Sequence, residues 1–212
     1  MSSGLKMSEF TKSKVSLNIN EEIVAIRKAA KAKGIPVILD ESLNMLLLSV
    51  KMCKPKKILE IGTAVGMSGI CMLNAAKNAR LVTVEQDEDS FNAAKANFKK
   101  FGVEDRVRAI LGDAGDVVRC YEPFFDFIFL DGAKARYYDY LPDLKRLLST
   151  GGVLFADNVL FRGFVEMEKV PHSEMTIVRN MRAFIDDLVA DSHYTTSLLD
   201  IGDGVLIAHK DC

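Results

Sequence analysis

The sequence predicts an α/β fold, a Rossmann-like doubly wound sheet of seven strands that is mostly parallel and is preceded by N-terminal helices. Two observations lead to this prediction. From residue 55 onward, short apolar runs alternate with helical segments, which is typical of parallel strands joined by crossover helices. The last two strand-like runs are separated only by the tight turn IGDG, so we expect them to form a C-terminal antiparallel hairpin.

The N-terminal part of the chain precedes the alternating pattern. Residues 1–18 are polar and aperiodic, and we expect a flexible arm there. From Asn20, a typical helix-capping residue, apolar side chains recur at helical spacing up to Gly34, where a first helix should end.

A second helix is expected before the core begins. Asp40 or Ser42 can cap it, and its apolar stripe ends near Cys53. Residues 19–54 are therefore predicted to be a helical preface to a Rossmann-like core at 55–212, all within a single domain.

The predicted core strands share mostly uninterrupted apolar runs, as expected for strands covered on both faces. They cover residues 57–62, 80–85, 107–112, 125–131 and 152–157. The helices between them are predicted at about residues 68–77, 89–101, 115–121 and 137–148. The last quarter holds a predicted helix at 174–190 and two strands at 194–200 and 205–209.

The composition is that of an ordinary globular protein with balanced charge. The 212 residues include 28 basic and 29 acidic side chains, so net charge alone would not attract nucleic acid or a membrane surface. The four scattered cysteines form no CxxC pair, which argues against a zinc site or a disulfide framework. Because no apolar window approaches the ~18 residues that span a bilayer, we expect no membrane partner and a cytoplasmic location.

The turn after the first predicted strand, GTAVGMSG, is expected to bind a cofactor. In an open parallel sheet, ligands lie outside the carboxyl ends of the strands where the strand order reverses. Gly62 permits a tight turn and Gly66 allows the backbone to approach a ligand. The dinucleotide fingerprint has three glycines around a pyrophosphate, and the middle one is absent here, which argues against NAD. S-adenosylmethionine, a cofactor without phosphates, fits this pattern.

Two acidic residues extend the predicted cofactor site. Glu85 ends the second strand 19 residues after Gly66, close to the ~20 at which an acidic residue accepts the ribose hydroxyls. Asp113 ends the third strand, near the expected position of the adenine. Glu85 alone is equally explained as a solvated charge at a strand end, but the glycine turn and Asp113 in register favour the cofactor.

Oxygen donors at two further strand ends predict a divalent metal. Asp131 ends the fourth strand, and Asp157 and Asn158 follow the fifth. Oxygen ligands without histidine or cysteine suit Mg²⁺ or another hard cation and disfavour zinc. Alternatively, Asp157 caps the next segment and Asn158 forms a local turn. That alternative explains each residue singly, but three donors at neighbouring strand ends favour the metal.

Lys134 is a candidate general base because it lies three residues after Asp131. Near a dication the pKa of Lys134 should fall, and a neutral amine could then take the proton of a substrate hydroxyl. A solvated lysine at the start of a helix is the simpler explanation, and composition alone favours it.

Together these motifs resemble those of the metal-dependent O-methyltransferases that include the catechol and caffeoyl-CoA enzymes. The resemblance covers about residues 20–210 and rests on LEIGTAVGMSG, Glu85, the GDA at Asp113, LDGAKARYYDY and ADNVLFRG. Within that family, DNVLFRG at 157–163 and GDG at 202–204 are most similar to the bacterial branch that contains the tRNA 5-hydroxyuridine methyltransferase.

The resemblance implies a function and a set of site residues. It implies methyl transfer from S-adenosylmethionine to a metal-chelated hydroxyl, in the first place the 5-hydroxyl of 5-hydroxyuridine in tRNA, giving 5-methoxyuridine. Asp131, Asp157 and Asn158 would bind Mg²⁺ or another hard divalent cation, and Lys134 would act in catalysis together with Asp131. The residues implied to line the cofactor pocket are Ile38, Gly62, Ser68, Glu85, Asp113, Ala114 and Asp131.

Two other functions remain open, a small catechol or phenol as the methyl acceptor and a methyltransferase-like module that binds without catalysis. Basic residues could contact the phosphates of a tRNA, but they are almost equally explained as solvated surface. They form three groups: Lys51, Lys54, Lys56 and Lys57; Lys134 and Arg136; and Arg162, Lys169, Arg179 and Arg182. The N-terminal helices resemble those that pair subunits in this family, which implies a homodimer.

Overall fold

The centre of the protein is one seven-stranded sheet, seen in a computed structural model that describes residue 10 and residues 13–122 and 125–212. The strands are β1 (Lys57–Ile61), β2 (Arg80–Glu85), β3 (Val107–Leu111), β4 (Phe125–Leu130), β5 (Leu148–Asp157), β6 (Tyr194–Leu199) and β7 (Val205–Lys210). Their order across the sheet is β3-β2-β1-β4-β5-β7-β6. The first five strands run parallel, whereas β7 is antiparallel to both β5 and β6, so the predicted fold class is confirmed.

Helices cover both faces of the sheet. The α-helices of the core and its N-terminal preface are α1 (Glu21–Ala32), α2 (Asp40–Cys53), α3 (Met67–Ala75), α4 (Glu88–Lys100), α5 (Ala114–Arg119), α6 (Tyr137–Leu147) and α7 (Met175–Ala190). Short 3-10 helices lie at Glu104–Arg106, Lys134–Arg136, Phe164–Glu166 and His172–Glu174. Within the described ranges, no helix combines the length and the apolar character needed to cross a bilayer.

The N-terminal preface follows the sequence prediction in its first helix. The Asn20 side chain accepts a hydrogen bond from the amide of Ile23 at 2.9 Å, and Gly34, with φ +72°, follows the end of α1. Most of the predicted flexible arm, residues 1–9, 11 and 12, lies outside the described residues. Leu17, near the end of that arm, packs against the hydrophobic core.

The predicted cap of α2 is wrong. Leu39 is the residue before the helix, and its side chain makes no capping hydrogen bond. Asp40 instead forms an ion pair with Arg27 of α1, and a second nitrogen of Arg27 donates to the carbonyl of Ile38 at 2.7 Å. Ser42 is buried inside the helix, so a tertiary ion pair replaces the local cap that the sequence suggested.

Alternating side chains along the strands form two hydrophobic cores, one on each face of the sheet. On one face, Ile70 and Phe98 from α3 and α4 belong to the same cluster as Phe127 of β4. On the other face, Leu144 of α6 belongs to the cluster that contains Ile128, the next residue of β4. The sheet is therefore the middle layer of three, as expected for a doubly wound fold.

The strand order reverses at β1, which lies between β2 and β4. Ile61 at the end of β1 pairs with Val84 and with Leu130, and Leu130 pairs with Ala156 of β5. The segments that follow these strands consequently meet at one edge of the sheet, where ligands bind in open α/β folds.

Candidate active site

A cavity of about 700 Å³ lies at this edge of the sheet. Its volume falls in the range of roughly 300–1,000 Å³ that is usual for small-molecule sites. The segments after the parallel strands line it, and residues 35–39 between α1 and α2 line it as well. The predicted site residues on its wall are Ile38, Gly62, Ser68, Glu85, Ala114, Asp131, Lys134 and Asn158.

Gly62 is required where the cavity begins because β1 and β4 approach each other closely there. Its φ is +95°, and a Cβ at this position would lie 2.2 Å from the carbonyl oxygen of Asp131. The amide of Asp131 donates to the carbonyl of Ile61 at 2.9 Å. Only a glycine at position 62 therefore allows the turn after β1 to contact Asp131, the residue that follows β4.

The carboxylate of Glu85 connects the turn after β1 with the turn after β2. One of its oxygens accepts a hydrogen bond from the amide of Ala64 at 2.8 Å, and the other accepts from Gln86 and Asp87, both at 2.9 Å. A carboxylate has about four lone-pair sites. Backbone amides use three of these sites, so about one remains to accept a hydrogen bond from a ligand hydroxyl in the cavity.

Sequence analysis missed Glu60, which is fully buried in β1. The hydroxyl of Ser68 donates to one of its oxygens at 2.5 Å, and the hydroxyl of Thr83 donates to the other at 2.6 Å. Burial raises the pKa of Glu60 to about 7, and the two hydroxyls oppose that shift. The only signal in the sequence is a carboxylate inside the apolar run ILEI, where solvation is not available.

The carboxylate of Asp113 caps α5 rather than lining the cavity. It accepts a hydrogen bond from the amide of Gly115 at 2.8 Å and lies 3.5 Å from a guanidinium nitrogen of Arg136. Its neighbours Gly112 and Ala114 do line the cavity. The prediction that Asp113 itself lines the pocket is therefore not met in this structure, because its side chain bonds to the amino end of α5.

Asp157, the last residue of β5, does not line the cavity but directly precedes Asn158, which does. Its side chain is completely buried, and neither carboxylate oxygen has a hydrogen-bond partner. Burial, and then repulsion from Asp131, raises the pKa of Asp157 to about 7. The hydroxyl of Ser42 and the backbone amide of Asn158 are close enough to oppose that shift, but neither makes a hydrogen bond of acceptable geometry to the carboxylate.

Lys134 lies beside the carboxylate of Asp131, with its ammonium nitrogen 2.7 Å from Oδ1. Both side chains are about three-quarters buried, at 25% and 21% exposure. Burial also raises the pKa of Asp203, the middle residue of the GDG motif in the β6–β7 turn, to which sequence analysis gave no role in the site. The positive charge of Lys134 opposes the rise in pKa at both Asp203 and Asp157. The ammonium group of Lys134 therefore lies among three carboxylates, those of Asp131, Asp157 and Asp203.

The oxygen atoms of Asp131, Asp157 and Asn158 fit a hard divalent cation. Asp131 and Asp157 follow paired positions of β4 and β5, so their backbones are neighbours, and Asn158 lines the cavity beside them. The unpartnered carboxylate of Asp157 is the feature that a cation would satisfy. Among the described residues no group of three His, Cys, Asp or Glu side chains lies close enough together to hold a metal ion. A cation at this position would therefore need the amide oxygen of Asn158 as its third protein ligand.

The basic residues do not form one surface. Lys51, Lys54, Lys56 and Lys57 lie at or before the amino end of β1, at the sheet edge opposite the cavity. Arg136 pairs with Asp139 at 2.9 Å, and Arg182 donates to the carbonyls of Val165 and Met167. Lys134 lines the cavity, whereas Arg162 is exposed four residues after Asn158, with its guanidinium over the ring of Phe161.

Residues 13–211 match the O-methyltransferase family. The caffeoyl-CoA O-methyltransferase of Populus kitakamiensis is 29% identical, and the match covers 91% of this chain and 88% of that protein. The SAH-bound Podospora anserina methyltransferase PaMTH1 has a TM-score of 0.84 at 27% identity, covering 99% of both chains. The O-methyltransferase from Bacillus cereus in complex with SAH has a TM-score of 0.80 at 27% identity, covering 93% of this chain and 94% of that one. Because the family match spans nearly the whole chain, this protein belongs to the O-methyltransferase family, in the class that resembles the caffeoyl-CoA enzymes.

Proposed function

We propose that this S-adenosylmethionine-dependent O-methyltransferase transfers the methyl group to a metal-chelated hydroxyl. The observation that supports the proposal most strongly is the buried, unpartnered carboxylate of Asp157 beside Asp131. A buried charge without a partner is costly, and a bound cation removes that cost.

The cofactor half of the cavity suits S-adenosylmethionine. Glu85 has lone pairs left for the ribose hydroxyls, and the hydroxyl oxygen of Ser68 can accept from the amino group of the methionine tail. Ile38 is buried on the cavity wall and offers an apolar contact. Relatives from Podospora anserina and Bacillus cereus that share this fold were solved with SAH.

The acceptor half would hold Mg²⁺ through Asp131, Asp157 and Asn158. When bound, such an ion lowers the pKa of a chelated hydroxyl and orients it toward the methyl group. Lys134 donates a hydrogen bond to Asp131, and a cation held by that carboxylate would favour the loss of a proton from the Lys134 ammonium to water. The neutral amine would then accept the proton of the substrate hydroxyl. The cavity would hold the acceptor hydroxyl in line with the sulfonium methyl group, and most of the rate acceleration should arise from this positioning.

The acceptor that we propose first is 5-hydroxyuridine in tRNA, with 5-methoxyuridine as the product. Its 5-hydroxyl and the neighbouring O4 form the adjacent oxygen pair that a metal can chelate. The motifs DNVLFRG and GDG support this acceptor, and Arg162, exposed four residues after Asn158, would supply a cation for an RNA phosphate.

A small catechol or phenol is the second candidate acceptor. It presents the same pair of adjacent oxygens, and the relatives in Populus kitakamiensis and Stellaria longipes are caffeoyl-CoA O-methyltransferases. The pairing of Arg136 and Arg182 with partners inside the protein also reduces the number of cations available for RNA near the cavity.

The proposal is tested by incubating the protein with labelled S-adenosylmethionine, Mg²⁺ and either bulk tRNA that contains 5-hydroxyuridine or a panel of catechols. Label in tRNA that declines with salt, and declines further in Arg162→Ala, supports the RNA acceptor. The control Lys51→Ala, which removes an exposed cation at the opposite edge, should behave as wild type. Label only in catechols assigns the second acceptor, and no turnover with either favours a binding module and contradicts the proposed function.

We also propose that the protein is a homodimer that pairs through α1 and α2. These helices expose Val24, Leu48 and Met52, whose exposures of 49%, 50% and 73% are high for large apolar side chains. Light scattering decides the question directly, because a monomer mass at micromolar concentration would contradict the pairing.

A further inference from the structure

The loop that follows β5 has an unusual backbone. We call residues 158–163 the acceptor-side loop, because Asn158 at its start lines the cavity next to Asp131. Three of its non-glycine residues, Asn158, Phe161 and Arg162, have φ values of +58°, +45° and +58°. Side chains with a Cβ rarely adopt this left-handed conformation, so contacts elsewhere in the protein must hold the loop.

Those contacts come from the turn between β6 and β7. The carbonyl of Asp203 accepts a hydrogen bond from the amide of Leu160 at 3.0 Å, and the carbonyl of Gly204 accepts from Val159 at 3.0 Å. The side chain adds a third bond, since Oδ1 of Asp203 accepts from the amide of Arg162 at 2.6 Å. The turn therefore satisfies three amides of the acceptor-side loop.

The turn itself has little freedom to move. A Cβ on Gly204 would lie 2.3 Å from Cγ of Leu160, and a Cβ on Gly202 would lie 2.5 Å from the hydroxyl of Ser42 in α2. The turn is thus packed between α2 on one side and the acceptor-side loop on the other. Asp203 is half-buried, lines the cavity, and is the residue of this turn whose side chain binds the loop.

We infer that Asp203 is a positioning residue for the acceptor half of the site. Its carboxylate accepts a hydrogen bond from the amide of Arg162, and this contact holds the acceptor-side loop in the conformation that places Asn158 on the cavity wall. The inference about the loop rests on the structure alone, whereas its consequence for the acceptor rests on the proposed function. The role requires an acceptor oxygen at this position and does not require a negative charge.

Hydrogen–deuterium exchange separates this role from a general stabilising one. In Asp203→Ala the amides of residues 158–163 should exchange about tenfold faster, because the bond to Arg162 is lost, while exchange in β1 and β4 stays unchanged. Asp203→Asn keeps an oxygen that can accept the same bond and should exchange as wild type. Asp200→Asn, in the exposed residue before the turn, is the matched control.

Kinetics measured on the same variants link the loop to the acceptor. Asp203→Ala should raise the acceptor KM about tenfold with unchanged affinity for SAH, and Asp203→Asn should restore the wild-type KM. If neither acceptor is turned over, the proposed function fails, but the exchange result still decides the positioning role. The inference would be overturned if residues 158–163 exchanged at the same rate in wild type and in Asp203→Ala. It would also be overturned if their exchange were as fast in Asp203→Asn as in Asp203→Ala. Asp203→Ser, which has a shorter side chain, replaces the alanine variant if that variant does not fold.

Discussion

The two halves of the cavity differ in how their carboxylates are satisfied. On the cofactor side, Glu85 accepts three backbone hydrogen bonds and Glu60 accepts two hydroxyl hydrogen bonds. On the acceptor side, Asp157 is just as deeply buried as Glu60 and accepts none on its side chain. The carboxylates of the cofactor half are therefore satisfied within the protein, whereas the carboxylate of Asp157 has no hydrogen-bond partner there.

The energetic consequence follows from burial. A buried ionised group without a partner costs several kcal/mol, and the cost is removed by protonation, by pairing or by a metal. Lys134 provides only part of the compensation, because its ammonium bonds to Asp131 and not to Asp157. Variants that act on one half alone should consequently separate cofactor binding from metal-dependent transfer.

Asp157→Ala should give the largest effect. It removes one of the two carboxylates expected to bind the cation, and turnover in Mg²⁺ should fall at least about a hundredfold, since even partners outside the first coordination sphere are worth roughly tenfold to a hundredfold. Affinity for SAH, measured by titration calorimetry, should stay near wild type. A parallel loss of SAH affinity would show that the two halves are not separable.

Gly62→Ala should damage both halves at once. A Cβ 2.2 Å from the carbonyl oxygen of Asp131 forces β1 and β4 apart, and the φ of +95° adds strain. We expect a loss of about 2 kcal/mol or more in the free energy of unfolding, which denaturant titration measures. Gly151→Ala, at φ +79° with no atom near its added Cβ, is the control that isolates the backbone strain.

Glu85→Gln should weaken the cofactor half alone. The amide nitrogen of glutamine replaces an oxygen that accepts a backbone N–H, so at least one donor of the turns loses its partner. SAH affinity should fall about tenfold, because a ligand hydroxyl loses a hydrogen bond to a charged group, which is worth roughly 1.5–3 kcal/mol. The Mg²⁺ concentration that gives half-maximal activity should remain unchanged, and a shift in that concentration would contradict the separation.

The smallest effect is a pH dependence of stability in the absence of metal. Because the pKa of Asp157 is raised to about 7, the folded protein keeps a proton there that the unfolded chain loses near the ordinary value of 3.8. The free energy of unfolding should therefore fall as the pH rises from about 4 to 7, by at most about 1.4 kcal/mol per pH unit. Glu60 adds a slope of the same sign, so the part due to Asp157 is the difference between wild type and Asp157→Asn. Mg²⁺ should restore stability at pH 8 in wild type only, and an equal gain in Asp157→Asn would argue against this site.

The sequence predicts the sheet and the edge at which the site forms. Apolar runs that end in Glu85, Asp131 and Asp157 place polar residues at the carboxyl ends of parallel strands, and parallel pairing brings those ends together. The alternation of strands and helices and the strand ends at which the polar residues collect follow from local patterns, and the structure agrees with both, with the cavity at that edge of the sheet.

The remaining features depend on contacts between distant segments. Glu60 lies in an apolar run, and only the fold shows that Ser68 and Thr83 satisfy it. The strained conformation of Arg162 is visible only together with Asp203, which lies 41 positions away. Local sequence patterns contain no information on such pairs.

The dependence of methyl transfer on a divalent metal is the most direct test of the contrast between the two halves. Transfer to 5-hydroxyuridine tRNA and to a catechol should be measured in EDTA and again after addition of Mg²⁺, with SAH affinity measured in both buffers. We predict that EDTA abolishes transfer, that Mg²⁺ restores it, and that SAH affinity is the same in both buffers. Full transfer in EDTA would contradict the assignment of Asp131, Asp157 and Asn158 to a metal site.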